Sequence, residues 1–253
     1  MSGVALDNAL DSLNALAGGL FLLSAFAMVA TRQTRGCLQL FIAQALLLAA
    51  SAFLLGAEHR SAHLLGVGLV NLVTKPILVP WILRRTLSEE VYARREIDQV
   101  LNIPASLLIA LALAVFAYFI TLPILHAVGA QFRGANVPIG FAGLLLGAYT
   151  LAVRREAVPM LIGILAMENG AFFAGIALAR DLPLIVELAV ASDGLILVFV
   201  TGVLVRSIHL RIGSTRVGEL AALREEITAA ALPRVGGQGD AHDAGKPVTP
   251  EAA

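Results

Sequence analysis

Charged residues and cysteines are both scarce in this chain, and each scarcity excludes a class of protein. Only 14% of the 253 residues are charged, whereas about a quarter is usual in a soluble globular protein. Basic and acidic residues number 18 each, and this balance argues against a nucleic-acid partner. Cys37 is the only cysteine, so this chain alone cannot form an internal disulfide, a cysteine-rich zinc site or an iron–sulfur cluster.

The common motifs of soluble enzymes are missing as well. The sequence contains no Walker A motif, no glycine pattern of a dinucleotide-binding fold, no nucleophile elbow and no HExxH. The sequence therefore predicts no catalytic site, no metal and no cofactor in this chain. The first residues also lack the basic n-region of a cleavable signal peptide, so we expect the first apolar segment to remain.

Long apolar runs are abundant, since 58% of the residues are hydrophobic. Their lengths predict an all-α fold, a polytopic membrane helix bundle of about seven transmembrane helices. The predicted spans are Leu13–Ala30, Cys37–Gly56, His63–Leu83, Val100–His126, Val137–Val153, Pro159–Ala179 and Pro183–Val205. The fifth is short and rich in glycine, which makes it the weakest of the seven.

Arginines between the spans predict the orientation. Those that follow spans 1, 3, 5 and 7 are Arg32, Arg35, Arg84, Arg85, Arg94, Arg95, Arg154, Arg155, Arg206, Arg211, Arg216 and Arg224. The opposite side has only Arg60, Arg133 and Arg180. The positive-inside rule therefore places the N-terminus outside and the C-terminus in the cytoplasm, in the inner or plasma membrane of the cell.

The spans predict a transmembrane domain at 1–212 and a cytoplasmic tail at 213–253, of which the last twenty residues are expected to be disordered. The stretches TRGCLQLFIAQALLLAA and VPMLIGILAMENGAFFA superpose with Gln44 opposite Glu168. This weak repeat predicts a parallel 3+1+3 layout, with three-helix units at about 13–84 and 137–206 and a linker helix at about 100–126. The charged segment TLSEEVYARREIDQV, between spans 3 and 4, predicts a short cytoplasmic helix or a solvated connector.

Three ionisable residues lie near the middle of predicted spans. At about 1.5 Å per residue, Glu168 lies ~13 Å past Pro159, Asp193 ~15 Å past Pro183, and Lys75 ~13 Å before Arg84. A hydrocarbon core is about 30 Å thick, so all three are expected near the bilayer midplane. A charge there costs on the order of 2.5–3.5 kcal/mol on insertion scales, so each group must be solvated, paired or neutralised.

These three residues are the candidate proton path, because burial disfavours the charged form of both acids and lysine and so favours proton exchange. Asn169, Gln44 and Glu187 are candidate accessory groups. For Glu187 an interfacial acid is the favoured interpretation, and Asn169 is equally well explained as an ordinary helix–helix contact. Pro76 and Pro80 predict a helix that bends beside Lys75 and frees backbone carbonyls there. A fixed structural ion pair between Lys75 and one acid is the alternative.

The stretches NLVTKPILVPWILRR, MENG and SDGLILVFVTGVLVR resemble the E component of hydrogenase-4, a membrane subunit of formate-hydrogenlyase-type complexes. The resemblance extends over roughly 14–211. The last three spans are also similar to the K-type subunit of respiratory complex I, which has one glutamate in its second helix and one in its third. Asp193 matches the third-helix acid, whereas Glu168 falls three residues after the second-helix acid, on roughly the same face.

The resemblance implies a subunit in the membrane arm of a complex-I-like, group 4 [NiFe] hydrogenase. Its partners would be antiporter-like and other membrane-arm subunits, a [NiFe] hydrogenase module that holds the cofactors, and membrane lipids. Two other functions stay open on the residues alone. One is a stand-alone secondary transporter whose ions bind substrate between repeated halves, and the other is a purely structural membrane scaffold.

Overall fold

The computed structural model describes residues 2–58, 60–86, 101–128, 136–178, 196 and 199. The regular structure in these ranges is helical, which confirms the all-α prediction. The helices are α1 (Ser2–Ala30), α2 (Thr34–Glu58), α3 (Ala62–Val73), α4 (Val79–Thr86), α5 (Ile103–Val128), α6 (Asn136–Val153) and α7 (Ala157–Leu178). A π-helical turn, Thr74–Leu78, joins α3 to α4 without interruption.

Six helical segments of the described chain are long and apolar enough to cross a bilayer. They are Asn8–Ala30, Thr34–Glu58, Ala62–Leu83, Ile103–His126, Asn136–Val153 and Ala157–Leu178. They match the first six predicted spans to within a few residues at most ends, including the glycine-rich fifth. The predicted seventh span, the charged segment between spans 3 and 4 and the tail 213–253 lie outside the described residues, Ile196 and Phe199 apart. The protein is a multi-pass membrane protein.

The helix ends follow local sequence signals. Ser61 precedes α3, and its side-chain oxygen accepts a hydrogen bond from the Leu64 N–H at 3.4 Å. Asn102 similarly accepts from the Ala105 N–H, at 3.1 Å, at the start of α5. Side chains of these types satisfy donors that the first helical turn leaves without partners.

Glycines permit a close contact between α6 and α7. A β-carbon at Gly140, Gly147 or Gly170 would collide with the backbone of the facing helix. Small residues at such crossings let two membrane helices approach closely. Helix α1 packs against α2, α5 and α6, and α2 also contacts α3, the π turn and α7. Helices α2 and α7 with the π turn therefore surround a common interior.

An arginine marks one end of this interior. Arg154 follows α6, is buried, and donates from Nη2 to the Met28 carbonyl near the end of α1 at 2.7 Å. A cation at a helix C-terminus is stabilised by the partial negative charge there. Burial lowers the pKa of the Arg154 guanidinium from its usual value, while the nearby Cys37 and Glu156 act in the opposite direction. We call the end of the bundle at Arg154 the arginine end. The opposite end, where α6 begins at Asn136, is the asparagine end.

Candidate functional site

Lys75 lies in the π-helical turn, in the interior of the span Ala62–Leu83. Proline has no backbone N–H and clashes with the carbonyl four residues earlier in an α-helix. Around Pro76 the helix widens, and the Val79 N–H donates to the Thr74 carbonyl, five residues earlier. The predicted departure from α-helical geometry thus takes the form of a wide turn, and the helix continues through both prolines.

An ion pair joins Lys75 to Glu168. The Lys75 Nζ lies 3.0 Å from the Glu168 Oε1, and 4.3 Å from the centroid of the Phe172 ring. The lysine side chain is 5% exposed and the glutamate side chain 18%. A cation over an aromatic face gains a further favourable interaction when it is desolvated. The two charges compensate each other inside the bundle.

Three amide side chains lie close to this pair: one follows Glu168, one lies a helical turn before Lys75, and one is hydrogen-bonded to the first. Asn169 follows Glu168 on α7 and donates from Nδ2 to the Gln44 Oε1 on α2, at 3.3 Å. Asn71 lies one turn before Lys75 and donates to the Val67 carbonyl of its own helix, at 3.1 Å. All three amides are buried. Gln44, Asn71, Lys75, Glu168 and Asn169 together form what we call the polar layer.

The polar layer has more hydrogen-bonding capacity than its own members use. The Gln44 Nε2, the Asn71 Oδ1 and the Asn169 Oδ1 are buried and have no hydrogen-bond partner among the described residues. A buried donor or acceptor left in this way costs about 1–3 kcal/mol. Buried water commonly satisfies such groups. The layer therefore has the donors and acceptors that a hydrated proton relay would use.

Apolar side chains cover the polar layer on both sides. Toward the arginine end lies a buried cluster that we call the arginine-side apolar cluster: Met28, Cys37, Leu38, Phe41, Val79, Leu83, Val158, Leu161, Ile162, Leu165 and Ala166. Toward the asparagine end lies the asparagine-side apolar cluster: Phe21, Leu48, Ala52, Val67, Phe173 and Ile176. The rings of Phe21 and Phe173 stack in the second cluster with centroids 4.4 Å apart.

A second polar group lies beyond the asparagine-side apolar cluster. The Ser51 hydroxyl donates to the Asn14 Oδ1 at 2.7 Å and accepts from the Asn136 Nδ2 at 3.5 Å. The three side chains come from α1, α2 and α6, and all are buried. We call them the asparagine–serine cluster. Sequence reasoning missed it because none of its members is ionisable.

The structure brings together four of the predicted site residues: Lys75, Glu168, Asn169 and Gln44. The other two, Asp193 and Glu187, lie outside the described residues. Asn71 and Phe172 were missed. Asn71 was open to prediction, because an amide one helical turn from a buried lysine lies on the same face of the helix.

The described part of the chain contains no group of three or more histidine, cysteine, aspartate or glutamate side chains suited to a metal ion.

Comparison with known proteins gives two kinds of relative. Hydrogenase-4 component E of Escherichia coli strain K12 is 27% identical over 214 residues, which cover 81% of this chain and 94% of the relative. Hydrogenase-4 component E of Shigella flexneri matches to the same extent. No family model matches the chain, and no solved structure matches it. The resemblance to hydrogenase-4 component E that the sequence stretches indicated is therefore confirmed.

A higher identity is found with a mycobacterial protein. The Uncharacterized protein Rv0085 of Mycobacterium tuberculosis is 33% identical over 209 residues, which cover 83% of this chain and 94% of the relative. The match runs through nearly the whole relative, so it includes the membrane-spanning region rather than one isolated helix. The chain belongs to the same protein family as Rv0085.

Proposed function

We propose that the chain is a membrane-arm subunit of a complex-I-like, group 4 [NiFe] hydrogenase, and that its polar layer takes part in proton translocation. Two findings support the assembly: the resemblance to hydrogenase-4 component E, and a bundle with membrane-length helices. The single observation that carries the proton role is the 3.0 Å contact between Lys75 and Glu168 inside that bundle.

The chemistry of the pair suits proton transfer. Moving one proton from the ammonium to the carboxylate converts two buried charges into two neutral groups. Desolvation opposes the charged state, while the mutual attraction of the charges and the Phe172 ring favour it. Because these effects oppose each other, the charged and neutral states differ less in free energy than desolvation alone would make them. A change in the charge of a neighbouring subunit would then shift the proton.

The unpartnered amides give the proton a route. The Asn169 Oδ1 and the Gln44 Nε2 are buried without a hydrogen-bond partner among the described residues, and they belong to the hydrogen-bonded pair that begins at Asn169, the residue after Glu168. Amides do not carry protons themselves, but they order water molecules that do. Asp193 and Glu187 would extend the path on the next predicted span.

The partners we propose are antiporter-like and other membrane-arm subunits, together with a [NiFe] hydrogenase module that holds the cofactors. This chain would contribute no catalytic group of its own. We also propose the orientation that the arginines predict, with the N-terminus outside and the C-terminus cytoplasmic. The arginine end of the bundle would then face the hydrogenase module.

The test replaces Glu168 by glutamine in the assembled complex. Glu168→Gln keeps the shape of the side chain but removes the titratable group, so the proton has no acceptor beside Lys75. We expect the rate of proton translocation to fall by about tenfold or more, because a positioned proton-transfer group typically contributes at least that factor to a rate. Inverted membrane vesicles with a pH-sensitive dye measure it.

Asp11→Asn is the matched control, because Asp11 is an exposed acid near the start of α1. It should leave translocation and turnover unchanged. Normal proton translocation by an assembled Glu168→Gln complex would reject the proton role. If the chain purifies alone from native membranes, without hydrogenase subunits, the proposed assembly is rejected and a stand-alone transporter takes its place.

The geometry of the pair also supports a second function, that of a structural scaffold. An ion pair held at 3.0 Å and covered by an aromatic ring can lock α7 to the π turn without moving protons. A lock needs the charges, whereas a relay needs a titratable acid. The double variant Lys75→Met with Glu168→Gln separates the two, because it leaves no unpaired buried charge: a relay predicts an assembled complex without translocation, whereas a lock predicts translocation in whatever complex assembles.

A further inference from the structure

The polar layer is covered one helical turn away on each of the helices that build it. On α2, Phe41 precedes Gln44 and Leu48 follows it. On α7, Leu165 precedes Asn169 and Phe173 follows it. Because α2 and α7 run from the arginine end to the asparagine end, Phe41 and Leu165 belong to one side of the layer and Leu48 and Phe173 to the other.

The third helix repeats the arrangement in the opposite direction. The span Ala62–Leu83 runs back toward the arginine end. Val67, one turn before Asn71, belongs to the asparagine-side apolar cluster. Val79, one turn after Lys75, belongs to the arginine-side apolar cluster. Two helices that run toward the asparagine end and one that runs toward the arginine end thus show the same order of layers. The arrangement is therefore a property of the bundle rather than of one helix.

Both apolar clusters are closed to solvent. Phe21, Phe41, Phe173 and Leu48 have exposed fractions of 1% or less. The Phe21–Phe173 stack is wedged against the α6–α7 crossing, since a β-carbon at Gly143 would collide with the Phe21 ring. Apolar constrictions without room for water stop the passage of water and ions.

We propose that the two apolar clusters are separate seals that close the Lys75–Glu168 pair toward the two faces of the membrane. Phe41 is the principal side chain of the seal toward the arginine end. The Phe21–Phe173 stack and Leu48 form the seal toward the asparagine end, between the polar layer and the asparagine–serine cluster. The inference rests on the proposed proton role, because a seal regulates access only if the pair exchanges protons.

The seals limit how a proton can reach the ion pair. With both closed, a proton cannot reach the pair along the membrane normal from either face. The exposed edge of Glu168 is the side of the ion pair that is least covered. Exchange with one face would need one seal to open while the other stays shut, since opening both would let protons leak across the membrane.

The test measures water access to the polar layer from each face. The native chain has one cysteine, which is buried in the arginine-side cluster. It is retained so that this cluster stays complete, and the mass of its peptide distinguishes its modification from that of a second cysteine. Gln44→Cys then places one reporter in the polar layer. A charged, membrane-impermeant methanethiosulfonate reagent is applied to the assembled complex in right-side-out and in inverted vesicles, and the modification of this subunit is followed by mass spectrometry.

With both seals intact we expect slow modification from both faces. Phe173→Ala should raise the rate by about tenfold or more from the face at the asparagine end only, and Phe41→Ala from the opposite face only. Each phenylalanine is thus the control for the other. Leu146→Ala removes a buried side chain from a third apolar cluster, between α1, α5 and α6, and should change neither rate.

Fast modification from either face with both seals intact would overturn the inference. So would equal rates from the two faces in the Phe173→Ala complex. If Phe173→Ala does not assemble, Leu48→Ala at the same level is read by the same criteria. The labelling does not depend on proton movement, so normal translocation by Glu168→Gln would reject the proposed function while the labelling pattern still decides whether the seals exist.

Discussion

Polar side chains meet inside this bundle at two levels, and the two groups differ in how fully they are satisfied. In the asparagine–serine cluster, Ser51 donates to Asn14 and accepts from Asn136. None of the polar side-chain atoms in that cluster is both buried and unpartnered among the described residues. In the polar layer, each of the three amides keeps one buried atom without a hydrogen-bond partner from that part of the chain.

The difference separates two uses of polar residues within a membrane. A group whose fully buried polar atoms all have protein partners joins helices without needing water. An open group costs stability unless water or a partner completes it, and such costs are typical of functional sites. We therefore expect the asparagine–serine cluster to serve helix packing and the polar layer to serve proton transfer. Substitutions in the two groups test that division.

Loss of the lysine should have the largest effect. Lys75→Met leaves the Glu168 carboxylate without its counter-ion, and breaking a buried pair in this way typically costs on the order of 3–5 kcal/mol. We expect a low yield of assembled complex and no proton translocation from what remains. Yield is measured by quantifying this subunit in the purified complex.

The double variant Lys75→Met with Glu168→Gln is the control for that loss. It removes both charges, so we expect assembly to recover because no uncompensated charge remains buried. Translocation should stay absent, since neither titratable group is present. Recovery of both assembly and translocation would show that the pair only holds helices together, and would place the polar layer with the packing group.

Much of the fold was open to prediction because a lipid environment demands long apolar helices. Spans such as Asn136–Val153 are recognisable by length and composition alone. Lys75 and Glu168 were recognisable for the same reason, since a charge at that depth is expensive enough to require an explanation. The sequence therefore identified the charged residues that lie within otherwise apolar spans.

The residues that these charged side chains contact were not predictable. Glu168 and Asp193 are both acids in the interior of predicted spans, and hydropathy does not say which faces Lys75. Helix packing decides it, through features such as the Gly170 crossing that brings α7 against α6. The π turn was also hidden, because Pro76 signals a disturbed helix without specifying how the backbone adjusts. Neutral groups such as Ser51 gave no signal because they cost little in a membrane helix.

An intermediate effect is expected within the polar layer at the hydrogen bond between Gln44 and Asn169. Gln44→Leu or Asn169→Leu alone leaves the other amide buried without its partner, at a cost of about 1–3 kcal/mol. The double variant removes both polar groups, so its cost should be smaller than the sum of the two. Unfolding in mixed detergent micelles measures each free energy.

Measurements of proton translocation distinguish what the Gln44–Asn169 hydrogen bond contributes to stability from what it contributes to the proton path. Both single variants and the double variant should slow proton translocation, because each removes groups that hold water beside Glu168. A double variant with wild-type translocation would mean that the amides serve packing alone. Ser24→Ala is a suitable control, since Ser24 is buried but donates only to the Phe21 carbonyl of its own helix.

The smallest effect is expected in the asparagine–serine cluster. Ser51→Ala removes a hydroxyl that joins two amides, and interhelical hydrogen bonds of this kind contribute on average about 0.6 kcal/mol in membrane proteins. Asn14 and Asn136 also lie on helices that contact each other, so the packing around the missing hydroxyl is kept. We therefore expect a slightly lower free energy of unfolding and unchanged proton translocation. A Ser51→Ala complex that assembles fully but translocates slowly would contradict the division between the two groups, because a satisfied cluster would then be serving the proton path.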